Sequence, residues 1–414
     1  NKKEGKERLF AQKVDVQSGN FSGSAQEILQ TEKIGSWDKY HFVQSANTKT
    51  TLTYWRIVPK EKRDVKNNDR IGMYVYDENM KQIWGKIITM PYTEAEMDNV
   101  DYQVDAKGNV YCLAKVYDDR KSKDRTKPNY HYEILIWSKD KPDGTKIPFK
   151  FEDKFVSSAL IMEDYQGRII VAGYYSKVFN SGSSDGAFLL KLDQEQGKVV
   201  NVLKGLYEFP KELLKEFESE RTKRQIEKKE KKKGDVEEPI LTLRRVNINE
   251  DGTIQVYGEQ YQLVVTTYTD SRGRTYTRYT YYYLDIIALN IGKDGEIIWV
   301  KKIPKQQICS TPYGNGFSDF SFDGNKYFFF TDNPKNLNLS PNQAPVTHGS
   351  SVKGTVMAVR IDPSGNMKKT VLYDAKDNKV FLNATDFTEV GDNQLITRTA
   401  QKKVSRAMLL TFEK

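Results

Sequence analysis

The residue types that most often carry chemistry are sparse in this 414-residue chain and do not fall into known site patterns. Its three histidines, His41, His131 and His348, lack the spacing that would bring two of them to one metal ion. Cys112 and Cys309 lie in separate apolar contexts with no second Cys or His nearby. The sequence also lacks a nucleophile elbow, a phosphate-binding glycine loop and a complete calcium loop. We therefore predict no catalytic residue, no metal site and no cofactor.

Carboxylates are the one chemistry that this inventory leaves open. Two acidic residues from distant parts of the chain can form a glycosidase or lyase pair without leaving a local motif. Glu94, Glu96, Asp98 and Asp332 would lie near the same face of the fold that the repeats below predict. Nothing in their spacing distinguishes them from ordinary surface or turn residues, so an enzyme stays an alternative.

The most distinctive local composition is YTDSRGRTYTRYTYYY, residues 268–283. Tyrosine and arginine are the residues that protein interfaces favour, because they combine a large contact area with polar groups. Residues 254–290 predict a hairpin with strands of about 16 residues, whose outer half would project about 25 Å. A self-contained Tyr/Thr ladder is the alternative to a contact surface. The candidate binding residues are Tyr268, Arg272, Arg274, Tyr276, Arg278, Tyr279 and Tyr281.

A second candidate is the charged segment 210–239, which we expect to be a helical insertion. Leu213, Leu214 and Phe217 form a short apolar face on a helix that would begin after Pro210. The remainder, RTKRQIEKKEKKKGDVEE, has nothing to bury. The apolar face would dock either on its own fold or on a partner, and both alternatives remain open.

The net charge of +9 does not indicate nucleic-acid binding, because basic and acidic residues are interspersed. Residues 211–235 contain ten basic and seven acidic side chains rather than a single-sign stripe. The sequence contains no run of about 18 apolar residues, so it predicts no membrane span. The expected partners are therefore proteins, or a glycan, and not nucleic acid.

Repeated hairpins organise the rest of the chain. LDIIALNIGKDGEIIWVKKI, residues 284–303, predicts two apolar strands joined by a glycine turn, and similar hairpins recur at 8–28, 73–87, 132–151, 187–202 and 355–372. A second kind alternates with it at 100–117, 159–175, 244–261, 317–333 and 383–399, with a glycine in each turn. The two kinds together make a four-stranded antiparallel unit, which repeats at intervals of about 55 to 85 residues.

Four-stranded units repeated in this way are β-propeller blades. The units span residues 40–90, 100–151, 159–209, 241–303 and 317–373, with part of another at 381–414. These repeats and their Asp-x-x-Gly turns resemble the quinoprotein-like and TolB-like propellers of secreted bacterial proteins. We predict an all-β, single-domain propeller over 1–414, with seven blades, or six as the alternative. Residues 8–28 supply only the third and fourth strands of a blade, so we expect its N-terminal strands to be missing, and the start at Asn1 without Met implies processing or truncation upstream.

The long insertions all fall on one predicted face of the propeller. They occupy the second-to-third-strand connections at 59–70, 118–129, 176–186, 266–280 and 331–353, and the inter-blade connection at 210–239. Variable loops on a rigid scaffold are where function usually resides.

The sequence therefore favours a non-catalytic, protein-binding subunit of a bacterial cell-envelope or surface assembly. The arm at residues 262–283 would be its main contact. The resemblance implies export to the periplasm or the cell surface, with a lipid anchor upstream as an option. The alternative function is a glycan-binding or glycan-cleaving propeller with a site at the central channel mouth, where Trp37 and Tyr313 would stack on sugar.

Overall fold

The computed structural model describes most of the chain. The described residues are 5–15, 20–32, 40–59, 66–121, 124, 126–179, 184–210, 212–213, 216–217, 240–312, 314–349, 354–374, 381–383, 385–401 and 404–413. The chain divides into two compact units, one formed by Asn1–Phe179 with Phe188–Leu206 and the other by Asn180–Ala187 with Tyr207–Lys414. Each unit is described by itself.

The first unit consists of antiparallel sheets whose strands follow one another in chain order. A two-stranded hairpin comes first, and three four-stranded sheets follow it. The hairpin is β1 (Lys6–Val14) and β2 (Phe21–Glu32). The sheets are β3 (His41–Gln44), β4 (Thr50–Ile57), β5 (Asn68–Asp77) and β6 (Gln82–Thr93); β7 (Met97–Val104), β8 (Val110–Tyr117), β9 (Tyr130–Trp137) and β10 (Thr145–Phe149); and β11 (Phe155–Glu163), β12 (Ile169–Ser176), β13 (Gly186–Asp193) and β14 (Lys198–Glu208).

The second unit continues the same pattern, with one extra short strand in its first sheet and an irregular last sheet. The first sheet is β15 (Ile240–Ile248), β16 (Ile254–Thr269), β17 (Thr275–Ile291) and β18 (Ile297–Ile303), with β19 (Gln307–Cys309) pairing to β17. The next is β20 (Ser318–Phe322), β21 (Asn325–Asp332), β22 (Thr355–Ile361) and β23 (Met367–Asp374). The last is β24 (Phe381–Leu382), β25 (Thr388–Gly391), β26 (Gln394–Gln401) and β27 (Val404–Thr411).

A recurring turn explains why the strands pair in register. In the β7–β8 turn, one Asp105 carboxylate oxygen accepts from the backbone N–H groups of Lys107 and Asn109, and Gly108 takes a positive φ of 82°. Asp164 and Gly167 repeat this arrangement in the β11–β12 turn. A glycine adopts the left-handed region without the steric cost of a Cβ, and the aspartate supplies the local hydrogen bonds.

Buried strands and a few polar ties hold neighbouring sheets together within the first unit. The apolar core there includes Leu52, Met73 and Val110, all fully buried. The Glu163 carboxylate at the end of β11 accepts from the backbone N–H of Ala46 at 2.7 Å and of Ala106 at 3.0 Å, so it joins the turns of three sheets. Buried carboxylates need such partners, because a desolvated charge without them is costly.

The structure confirms the predicted all-β class and the four-stranded antiparallel sheets of a β-propeller, and every predicted hairpin is present. The number of blades stays a prediction. Among the described residues the helical content is confined to short 3-10 turns, such as Pro334–Asn336. Most of the predicted helical insertion at 210–239 lies outside the described residues. None of the described residues forms a helix with the length and hydrophobicity that a membrane crossing requires.

Candidate functional site

The predicted arm is present as the outer half of the β16–β17 hairpin. The two strands pair continuously from Ile254 with Ile291 to Thr269 with Thr275, with one bulge between Glu259 and Tyr261. On the β16 side, β15 stops pairing at Tyr261, and on the β17 side, β19 stops at Tyr281. Beyond these points no strand among the described residues pairs with either edge of the hairpin.

The tip of the arm is a rigid turn that uses the same aspartate arrangement as the blade turns. One Asp270 carboxylate oxygen accepts from the backbone N–H groups of Arg272 at 2.9 Å and Arg274 at 3.0 Å. Its other carboxylate oxygen accepts from the Nε of Arg274 at 2.9 Å. These hydrogen bonds hold the pKa of Asp270 below its ordinary value. Arg274 is therefore partly committed to the turn, and within the described chain Arg272 and Arg278 form no ion pair.

One face of the arm is apolar and exposed. Leu263 pairs with Tyr281 and Val265 with Tyr279, so all four side chains lie on the same face of the hairpin. Val265 is 52% exposed and Tyr279 47% exposed, and Leu263 is exposed as well. The sequence analysis identified the two tyrosines but missed Leu263 and Val265. Leu263 and Val265 lie two positions apart in β16 and opposite tyrosines in β17, and this spacing could have revealed them.

The opposite face carries the aromatic and cationic groups nearer the tip. Tyr268 and Tyr276 are cross-strand partners whose rings stack at 5.4 Å between centroids, and both are exposed. Arg278 pairs with Thr266 one step further from the tip. The tyrosine pair stabilises the arm as predicted for a cross-strand ladder and leaves its outer ring surfaces in solvent.

The residues predicted from the charged insertion have a different environment. Leu213 and Phe217 are buried, and the backbone N–H of Phe217 donates to the carbonyl oxygen of Pro341 at 2.7 Å. Leu214 lies outside the described residues. Leu213 and Phe217 are therefore almost fully buried, and the backbone of Phe217 is tied to Pro341 of the same unit.

At the base of the arm lies a pocket of about 350 Å³, formed entirely within the second unit. The strands β15, β16, β17 and β20 and the segment before β25 contribute its walls. Among its lining residues are Arg244, Arg245, Glu259, Tyr283, Asp319 and Phe387. The pocket was not predicted from the sequence, because its lining residues come from segments as far apart as Arg244 and Phe387.

Glu259 is the centre of the first ionic group at the pocket. Its carboxylate accepts from the Nζ of fully buried Lys305 at 2.6 Å and from Arg244 at 2.8 Å. Gln307 also accepts from the Lys305 ammonium, at 3.2 Å, and from the backbone N–H of Gly316. Burial lowers the pKa of Lys305, while the carboxylate of Glu259 opposes that shift.

Asp319 repeats this arrangement on the other side of the pocket. Its carboxylate contacts the Nζ of buried Lys326 at 2.6 Å and the Nη1 of Arg245 at 3.3 Å. Lys326 also donates to the hydroxyl of Ser321 at 3.0 Å. Each pocket carboxylate is thus held by one buried lysine and one partly exposed arginine.

A β-bulge explains why two consecutive arginines face one pocket. Successive residues of a regular strand point to opposite faces, but β15 shifts register between Leu243 and Arg245. Arg244 is the extra residue of this bulge, and a bulge re-aims side chains. Both guanidinium groups consequently border the pocket.

The remaining chemistry-bearing residues are accounted for by local contacts. His131 contacts Asp118 at 2.6 Å and Glu133 at 3.3 Å. Both cysteines are free, and the thiol of Cys112 is buried. In the part of the chain that the structure describes, no group of three or more His, Cys, Asp or Glu side chains is placed to hold a metal ion.

The four carboxylates that the sequence left open are also engaged. Asp332 contacts the Nζ of Lys369 at 2.8 Å, and Glu94 contacts Arg56 at 2.8 Å. Glu96 accepts from the backbone of Thr93, and Asp98 from the hydroxyl of Tyr117. Trp37 and Tyr313, the aromatics expected at a sugar site, lie outside the described residues.

No protein-family model matches the chain, and no curated protein matches it at a significant level. Solved structures resemble it with very low identity. A protein of unknown function from Dyadobacter fermentans is 8% identical, with 90% of this chain and 94% of that chain covered, at a TM-score of 0.35. A Hadza microbial sialidase is 8% identical over 88% of this chain and 65% of its own, at 0.37. Hydrazine synthase from Kuenenia stuttgartiensis is 10% identical over 87% and 89%, at 0.34. Similarities this weak say nothing about what this chain binds.

Proposed function

We propose that the protein is a non-catalytic, protein-binding propeller subunit of a bacterial cell-envelope or surface assembly, and that the β16–β17 arm is its contact surface. The observation that carries this proposal is the apolar face of Leu263, Val265, Tyr279 and Tyr281, of which the first three side chains are exposed. An exposed apolar face on a structured arm costs solubility and is typical of an interaction site.

The composition of the arm supports a protein as the partner. Tyr268, Tyr276 and Tyr279 supply large exposed rings, and Arg272 and Arg278 supply cationic groups that the described chain does not pair. Aromatic side chains and arginine are the residues that most often dominate binding energy at protein interfaces. The outer edges of β16 and β17, which no described strand pairs with, also offer backbone hydrogen bonds to an added strand.

The test is co-purification of the tagged protein from cells of its source organism, compared between the native chain and an arm deletion. Residues 264–280 are replaced by Asn-Gly, which joins the paired residues Leu263 and Tyr281 through a two-residue hairpin turn. The partner is expected to be lost from the deletion variant while its thermal unfolding midpoint stays within a few degrees of the native value. A deletion variant that retains all co-purifying proteins would contradict the proposal.

Point variants separate the two faces of the arm. Val265→Ser with Tyr279→Ser removes the apolar face, and Tyr268→Ser with Tyr276→Ser removes the stacked pair. If the apolar face is the contact, the first double variant weakens capture by at least about tenfold, since it removes buried apolar area from the interface. The second double variant tests the opposite face of the arm, and a comparable loss of capture there would show that both faces contact the partner.

We propose export for the same protein, and its location is tested by fractionation. A protein of the envelope is expected in the periplasmic or membrane fraction of native cells. Recovery in the cytoplasmic fraction alone would contradict export. It would not contradict binding through the arm, which the deletion variant tests.

A further inference from the structure

We propose that the pocket bordered by Arg244 and Arg245 binds a small organic anion, a ligand with a carboxylate or phosphate group on a polar body of about the size of a monosaccharide. This inference is independent of the protein-binding role of the arm. It depends on the charge, the geometry and the size of the pocket.

The first argument is the charge balance. Four cations, Arg244, Arg245, Lys305 and Lys326, surround two carboxylates, those of Glu259 and Asp319. Each carboxylate already has a buried lysine at 2.6 Å, so neither needs an arginine for neutralisation. The exposed Glu389 near Lys326 compensates for one of the two excess charges. Asp285 and Asp332, which lie near Lys305, are neutralised by Lys302 and Lys369. The pocket therefore keeps a positive balance that an anionic ligand would neutralise.

The second argument is that the arginines are positioned rather than merely present. Arg244 donates to Glu259 through Nε and Nη2, and Arg245 contacts Asp319 through Nη1. A guanidinium group has five N–H donors in a fixed plane, so these contacts orient each group and leave further donors for a second acceptor. Side chains held in this way bind an oxyanion at a low entropic cost.

The third argument is the size and lining of the pocket. A volume of about 350 Å³ is at the lower end for small-molecule sites and much larger than a bare phosphate needs. Tyr283, Phe317 and Phe387 provide ring surfaces, while Ser318 and Thr385 provide hydroxyl groups. This combination suits a hydroxylated organic body better than a naked ion.

The lining also argues against cleavage as the role of this pocket. A glycosidase needs one carboxyl group able to donate a proton and another free to attack or to activate water. Glu259 and Asp319 are both buried and each is fixed by a lysine ammonium at 2.6 Å. Binding is accordingly the function that we assign to the pocket.

The experiment measures binding by isothermal titration calorimetry with four probes: glucuronate, glucose 6-phosphate, neutral glucose and inorganic phosphate. We expect one or both of the sugar anions to bind, and glucose to bind at least about tenfold more weakly, because it lacks the charge-assisted hydrogen bonds. The stronger of the two sugar anions identifies whether the ligand is a carboxylate or a phosphate.

Three variants assign the binding to the pocket. Arg244→Gln and Arg245→Gln should each weaken the affinity for the sugar anion by about tenfold or more. Arg168→Gln is the matched control, because Arg168 is also a partly exposed arginine on a buried carboxylate, that of Asp164 at 2.6 Å, and lies in the other unit. It should bind like the native protein.

A second measurement on the native protein covers the case in which a variant does not fold. Phenylglyoxal modification of Arg244 and Arg245, quantified by peptide mass spectrometry, should be slowed by the sugar anion, whereas modification of Arg168 should not. The proposal is overturned if neither sugar anion binds below about 10 mM, if glucose binds as well as they do, or if the two pocket variants bind like the native protein. Binding of inorganic phosphate alone would also overturn it, because the site would then hold only a bare oxyanion.

Discussion

The strands β16 and β17 pass through two environments, and the contrast shows which part of the hairpin holds the fold and which part is available for binding. In the inner half, β15 and β18 flank the pair, and Val256, Ala288 and Leu289 are fully buried. In the outer half, the same two strands continue without a further paired strand from the described part of the chain, and Val265 and Tyr279 are exposed. The backbone pairing is the same in both halves.

What changes along the hairpin is the side-chain composition. The inner half of β17 reads LDIIALNI, with apolar side chains directed to both faces, as expected for a strand packed on both sides. The outer half reads TYTRYTYYY, which combines β-branched and aromatic residues that keep a strand extended without a core. A hairpin that holds its shape by local pairing can be removed or altered with little effect on the folded unit. The predictions below test this separation.

The largest expected difference comes from shortening one apolar side chain in each half. Leu289→Ala leaves a cavity in the buried inner half and should lower the free energy of unfolding by about 2–5 kcal/mol. Val265→Ala on the exposed face should change it by less than about 0.5 kcal/mol. Chemical denaturation of both variants checks this. Equal losses would show that the arm is part of the cooperative core.

Substituting a polar side chain should also destabilise the protein more at the inner half of the hairpin than at its tip. Lys305→Met leaves the buried Glu259 carboxylate without its closest cation and should cost about 3 kcal/mol. Arg274→Ala breaks an exposed ion pair with Asp270 at the tip and should leave the denaturation midpoint unchanged within error. If Lys305→Met is as stable as the native protein, the lysine does not hold the pocket together.

The pH dependence of stability should differ between buried Asp101 and Asp270 at the tip of the arm. Burial raises the pKa of Asp101 to about 6, although the backbone N–H groups of Ile161 and Tyr102 donate to its carboxylate. A carboxyl group whose pKa is raised on folding favours the folded state while it is protonated, and this stabilisation is lost as pH rises from about 4 through 6. The native protein should therefore lose about 2 kcal/mol relative to Asp101→Asn over that range.

Asp270 should behave in the opposite sense, because its pKa is lowered by hydrogen bonds within the turn. Its stabilising effect is present above the ordinary aspartate pKa and lost in acid. Denaturation of the Asp101→Asn variant at pH 4 and pH 7 measures the first effect. If the free energies of unfolding of the native protein and the Asp101→Asn variant differ by the same amount at pH 4 and pH 7, the raised pKa of Asp101 is contradicted.

The sequence predicted the architecture because the architecture is repetitive and local. Glycine turns such as Gly108 and Gly295, placed between apolar runs, identified the hairpins, and the length of residues 254–290 identified the arm. Tyr268, Arg278 and Tyr279 were found because the composition of the tip is unusual. Leu263 and Val265 were missed because two aliphatic residues in a strand are more often buried, and only the structure shows that they are exposed.

The pocket could not be predicted in the same way. Arg244 and Arg245 face the same side only because β15 contains a bulge, and a sequence read with regular alternation places them on opposite faces. Lys305 is the buried partner of Glu259, which lies 46 positions earlier in the chain. Lys326 is the buried partner of Asp319, and the two residues lie on the paired strands β21 and β20. Charged residues in strands are more often on the surface, so their sequence pattern carried no signal of burial.

The central claim, that the arm contacts a protein partner, is tested most directly by site-specific photo-crosslinking in cells of the source organism. The crosslinker p-benzoylphenylalanine replaces Tyr279 on the arm or, as a control of matched exposure, Tyr165 in the β11–β12 turn; these tyrosines are 47% and 45% exposed. The account predicts a discrete crosslinked protein at position 279 that is not obtained at position 165. Identical crosslinking patterns at the two positions, or none at either, would contradict it.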